Sequence, residues 1–118
     1  MSDSDRRFDG LERRPLPGGL TLIVASTWRS RSRGLGKLDA LPPEHGLLIT
    51  PCRSIHTIPM RFALDLVWLD GEGRVVRLDE NVGRRRAKAC LRARSVVEVA
   101  AGDGARFRDA LEAAAVER

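Results

Sequence analysis

The stretch FALDLVWLDGEGRVVRLDENV, Phe62 to Val82, decides the fold. Its first half alternates Phe62, Leu64, Leu66 and Trp68 against Ala63, Asp65, Val67 and Leu69, the period of two of a strand, and with both faces apolar both must be covered. Asp70-Gly71-Glu72-Gly73 supplies glycines that can take the positive φ of a tight turn. RVVRLDENV then reads as the returning strand, so the pair is predicted antiparallel. Asp65 is the exception in this apolar run, because burying a carboxylate is costly unless it accepts hydrogen bonds or meets a cation.

Upstream, LTLIVAST (Leu20 to Thr27) is β-branched and apolar on both faces and reads as a buried strand. Thr27 is placed to cap a short helix over Trp28 to Leu35, ended by Gly34 or Gly36. Pro42-Pro43 excludes helix, and HGLLITPC (His45 to Cys52) reads as a second strand halted at Pro51. Downstream, Gly83 to Arg94 is basic and only weakly periodic, and RSVVEVAAG gives a further strand with Val97 and Val99 on one face. Asp103 is placed to cap a last helix through GARFRDALEAAAVER, whose Phe107, Leu111 and Ala114 recur at helical spacing. Residues 1–18 lack an apolar period and close in Pro15-Leu16-Pro17-Gly18-Gly19, so they read as a flexible N-terminal arm before one globular domain over 19–118. At least five short strands with one or two peripheral helices define the expected fold: mainly β, α+β by content, with a small, mostly antiparallel sheet that is closed or sandwiched.

The chain's 118 residues, 42% of them apolar, suffice for one small core. No run approaches the roughly eighteen apolar residues that a membrane helix needs, and the charged start MSDSDRRFDG has no apolar stretch behind it, so a cytoplasmic protein without membrane contact is expected. Two cysteines without C-x-x-C spacing are expected as thiols. A net charge of +5 invites a nucleic-acid reading. Against it, the arginines are scattered along the chain and aromatics make up only 4%, too few for stacking platforms, so a solvated basic surface is expected instead.

RSRGL (Arg31 to Leu35), HGLLI, CRSIHTIPMRFALDLVWLDGEGRVV and SVVEVAAG follow one another in an order that resembles the small prokaryotic family known as domain of unknown function 192, over about residues 20–104. The resemblance implies a compact, mainly β domain with a site at the central motif, and no particular reaction. Ser54-Ile55-His56-Thr57 and Ile58-Pro59-Met60-Arg61 stand where many members carry tryptophan-methionine-lysine-asparagine-threonine, so the chain resembles the histidine-bearing branch. Many members also close with an extra strand where Gly102 here leads into a helical segment.

Chemistry, if present, centres on the polar approach to that strand. Asp65 either accepts from backbone N–H groups or the Thr57 hydroxyl, pinning the Cys52–Arg61 loop, or orients His56 or serves as a general base. His56 titrates near neutral pH, and Cys52 lies four residues before it. Arg33 and Arg61 can hold an anion bidentately. A small or peptide-like ligand bound by Arg33, Ser54, His56, Thr57, Met60, Arg61 and Asp65 is therefore the expected function. The alternatives are a hydrolase-like enzyme, with Cys52 or water as nucleophile, His56 as base and Asp65 as orienter, and a docking module using Phe107 and Leu111. Cys52, His56, Cys90, His45 and Asp65 lack metal-ligand spacing, so no metal or cofactor is expected, and the chain is expected as a monomer or weak dimer.

Overall fold

Two apolar faces on one strand require two covers, and the chain supplies a different one for each. A computed structural model describes residues 8–26, 41–56, 62–84 and 86–116. Its elements in chain order are β1 (Glu12–Leu16), β2 (Leu20–Ala25), β3 (His45–Ile49), β4 (Ser54–His56), β5 (Leu64–Leu69), β6 (Val75–Val82), β7 (Ala87–Ala89), β8 (Ser95–Ala100) and α1 (Gly104–Val116). Six strands form one sheet in the order β1-β2-β3-β8-β5-β6, and β4 and β7 pair as a separate two-stranded ribbon. Every pairing in the large sheet is antiparallel except that of β2 with β3. The sheet is open, with β1 and β6 at its edges, and so is neither closed nor a sandwich of two equal sheets. Closure would remove the edges. Here the core is completed by laying α1 on one face and the ribbon on the other.

The alternation along each strand sorts the side chains. Leu22, Val24, Leu48, Val67, Val97 and Val99 meet Phe107, Ala110 and Leu111 of α1. Ile23, Leu47, Ile49, Leu64, Leu66, Trp68 and Val96 point the other way and pack with Ile55 of β4, Cys90 and Ala93. β5 and β8 lie inside the sheet and are buried along nearly their whole length. The glycine of HGLLI has a packing reason: a Cβ on Gly46 would stand 2.8 Å from Val99 Cγ1 and 3.0 Å from the Phe107 ring, so its absence lets α1 approach the sheet closely.

The Asp70–Gly73 turn and the returning strand form as predicted, with Asp70 Oδ1 accepting from the amides of Glu72 and Arg74 and Gly73 at φ 83°. The N-terminal arm needs correction. Residues 12–16 form β1, paired along its length with β2, and Phe8 is buried at 2% exposure. ERRPL lacks an apolar period because an edge strand presents charge to solvent and tolerates proline. AKA, unremarkable in sequence, is β7, and gains its strand form only from β4. The helix expected over 28–35 lies outside the described residues.

Candidate functional site

Asp65 does have partners, and among the described residues they are backbone amides. Its Oδ1 accepts from Asn81 N at 2.7 Å, and its Oδ2 from Gly102 N at 2.9 Å and Gly104 N at 2.8 Å. Each donor is explained locally. The β5–β6 register shifts between Leu64/Val82 and Leu66/Asp79, and in that bulge Asn81 adopts φ 53°, turning its N–H out of the ladder toward Asp65. Gly102 turns the chain at φ 100° out of β8, and Gly104 is the first residue of α1, where N–H groups lack partners within the helix. Asp103 keeps the capping position predicted for it, its carbonyl accepting from Phe107 N. The carboxylate that receives the helix's first N–H, however, comes from β5. A negative charge there also complements the positive end of the helix dipole.

This arrangement places Asp65 on the α1 face of the sheet. Gly104 abuts it so closely that a Cβ would stand 2.7 Å from both Asp65 Cβ and Oδ2. Cys52 packs on the opposite face, against the Leu47–Leu66–Trp68 cluster, and β4 lies there too, through Ile55. The structure therefore does not bring Asp65 and Cys52 together, and the sheet separates the orienter from the nucleophile in the hydrolase-like constellation. Among the described residues Asp65 accepts from backbone amides, one of the two kinds of partner the sequence allowed, and these bonds pin the β6 bulge and the β8–α1 turn; Thr57 and the rest of the loop to Arg61 lie outside the described residues.

The remaining candidates distribute as follows. Cys52 is half-buried, its thiol donates to Ser54 O at 3.1 Å and its amide to Arg94 O at 2.7 Å. Ser54 is exposed at the start of β4 and His56 is the last residue of that strand. Arg33, Thr57, Met60 and Arg61 lie outside the described residues. Cys90 is buried on the same face as Cys52, and both are free thiols. His45 Nδ1 bonds Pro43 O at 2.7 Å. Among the described residues no three His, Cys, Asp or Glu side chains gather to hold a metal. Phe107 and Leu111, the docking candidates, are spent in the core.

One buried carboxyl escaped the sequence reading. Glu98 lies in mid-strand on β8, between Leu47 of β3 and Leu66 of β5, on the face opposite α1. It is 4% exposed, and its Oε1 is fully buried with no hydrogen-bond partner among the described residues. Burial pushes the carboxyl up to about 7 from its ordinary 4.5, because a charge without partners is disfavoured in an apolar surround. With its proton held toward neutral pH, the carboxyl can both donate and accept a hydrogen bond. The signal was present in SVVEVA, as a lone acid in an apolar run. By contrast, the neighbouring polar groups on this face are committed: Trp68 Nε1 donates to Asp79 Oδ2 at 2.9 Å, and Arg77 donates to the same oxygen at 2.8 Å and to Ala89 O at 2.6 Å, tying β6 to β7.

Among the described residues, an open, six-stranded mixed sheet with one helix on one face, a ribbon on the other and a buried acid in an inner strand defines a small β-rich domain without a nucleotide-binding or metal signature. The family model of domain of unknown function 192, described as "Uncharacterized ACR", matches residues 13–108, and the chain belongs to this family. No curated protein matches. Two solved structures share the fold. One, of a protein of unknown function from Novosphingobium aromaticivorans, is 17% identical with a TM-score of 0.65, covering 85% of this chain and 89% of that one. The other, from Sinorhizobium meliloti and described provisionally as a transcription regulator, is 21% identical with a TM-score of 0.66, covering 80% and 82%. No helix among the described residues is long and apolar enough to cross a membrane.

Proposed function

We propose that this chain is a cytoplasmic binding domain for a small or peptide-like ligand, which meets the sheet on the face that carries Cys52 and β4, with Glu98 as the polar anchor. The observation that carries the reading is the unpartnered Oε1 of Glu98. A buried polar atom without a partner costs about 1–3 kcal/mol, and folds rarely keep such a group unless it serves a purpose. A carboxyl near 7 suits an amide or hydroxyl, to which it can donate and from which it can accept. Asp65 drops out of the binding set, because its oxygens already accept three amides.

The test is a methyl-detected NMR titration with a library of capped amino-acid amides and small polyols, in wild type and Glu98→Leu. Support is a set of shifts clustered on Leu47, Ile49, Leu66 and Val96 that disappears in the variant. Absence of shifts, or shifts indifferent to Glu98, refutes the reading. Since leucine matches the volume and hydrophobicity of the site, the variant should fold, which its amide spectrum reports directly.

A further inference from the structure

The α1 face carries a second concavity, remote from Glu98. Beyond the last turns of α1 the helix no longer covers the sheet, and an open cleft of about 570 Å³ remains. Its floor is Leu22, Leu48 and Leu69, with Leu111 of α1 as one wall. Volume and apolar floor both suit a small-molecule site.

The polar groups at its rim differ in how far they are committed. Asp70 is occupied by the amides of Glu72 and Arg74, and the Arg74 amide foremost holds its carboxyl below the usual range. Glu72 pairs with Arg74 at 2.9 Å, and Arg14 pairs with Glu12. Ser95 donates to Thr50 Oγ1 at 2.7 Å, so that the pair presents hydroxyl oxygens beside the apolar floor. Arg94 is exposed, and among the described residues its guanidinium has neither an ion pair nor a hydrogen-bond acceptor, although its backbone is fixed by Leu69 O and Cys52 N. Arg94 also lines the adjoining depression of about 320 Å³ formed by Pro51, Cys52 and Arg53. Arg94 is thus the cation at the cleft with no carboxylate paired to it among the described residues, and it stands beside an apolar floor; the Asp70 carboxylate keeps its charge, held on the amides of its own turn.

We infer that this cleft binds a free amphipathic carboxylic acid, its carboxylate held by Arg94 and the Thr50–Ser95 hydroxyls and its apolar tail laid over Leu22, Leu48 and Leu69. Guanidinium and carboxylate match in a bidentate geometry that an alcohol head group cannot reproduce. The site is separate from the Glu98 face and does not depend on it.

The experiment titrates the full chain with decanoate, below its micelle concentration, and with decanol, following backbone amides by NMR. Decanoate is expected to shift Thr50, Leu69, Ser95 and Ala114, and Arg94→Met is expected to weaken its binding about tenfold while leaving decanol unchanged. Arg94→Gln, which keeps a polar head without the charge, should weaken binding similarly and guards against a folding defect in the first variant. Equal binding of decanol and decanoate, indifference to both Arg94 variants, or no shifts in the cleft with decanoate would each overturn the inference.

Discussion

Removing the charge of Asp65 tests the account of the fold most directly. In Asp65→Asn the better of the two side-chain orientations keeps an oxygen where Oδ2 accepts from Gly102 and Gly104, and places the amide NH2 against the N–H of Asn81. One buried backbone donor then loses its acceptor, at about 1–3 kcal/mol. The two remaining bonds lose their charge-assisted character, and the N-terminus of α1 loses an anion, together about 1–2 kcal/mol. The variant should therefore be about 3 kcal/mol less stable. Asp65→Ala, which abandons all three amides and leaves a small void, should lose about 5 kcal/mol, comparable to the entire stability of many small domains. Equilibrium urea unfolding followed by far-ultraviolet circular dichroism gives both values. Hydrogen exchange supplies the local signature: the amides of Asn81, Gly102 and Gly104, slow in wild type, should exchange much faster in Asp65→Asn, while those of β2 and β3 follow only the global loss. A loss below about 1 kcal/mol in Asp65→Asn, or unchanged exchange at those three amides, would refute the claim that Asp65 holds the bulge and the turn to the sheet.

Other consequences are sharper in sign than in size. Because the folded state holds the Glu98 proton up to about 7 whereas the unfolded chain releases it near 4.5, stability should fall as pH rises through that interval and level off above it. The interval is worth at most about 3 kcal/mol; urea midpoints at pH 5 and pH 8 should differ in wild type and coincide more nearly in Glu98→Gln, and an identical pH dependence in the two proteins would contradict the assignment. Gly46→Ala forces a methyl into the Val99 and Phe107 contacts and should destabilise by about 1–3 kcal/mol, with Phe107→Leu in the same chain recovering part of the loss. Asp79→Ala strands the buried indole N–H of Trp68 and should lose about 2 kcal/mol with a change in tryptophan emission; Asp79→Asn, which keeps an acceptor, should lose less.

The strands that were legible in sequence are those whose side chains alone report their surroundings. β5, β8 and the Asp70–Gly73 turn carry their burial and their φ requirements in their own residues. β1 and β7 do not, because an edge strand and a short exposed ribbon owe their conformation to a partner's backbone, and no apolar period is needed to recruit it. The same distinction separates the two acids. Asp65 was conspicuous because FALDLVWL is apolar on both faces. Its role could not be read, since the amides it accepts come from residues 16 to 39 positions away, brought together by a bulge and a turn.

Glu98 was passed over because SVVEVA does not by itself tell which of its faces are covered, and only the fold, with β8 between β3 and β5 and the face opposite α1 packed around Leu47, Leu66 and Trp68, buries the acid. The two carboxyls then differ by what the fold aims at them. On the α1 face the β6 bulge and the helix start deliver three N–H groups to Asp65, so its charge is used up in holding the fold. On the opposite face strand pairing sets beside Glu98 the side chains of Leu47 and Leu66, and among the described residues Oε1 has no partner. Sheet pairing consumes the backbone donors of the neighbouring strands, so a side chain in the middle of an inner strand has no amide within its reach unless a bulge releases one. A fold under selection for stability alone would have a hydrophobic residue at position 98, as it has at Val97 and Val99. In the proposed reading, the carboxyl kept there takes its partner from a bound ligand.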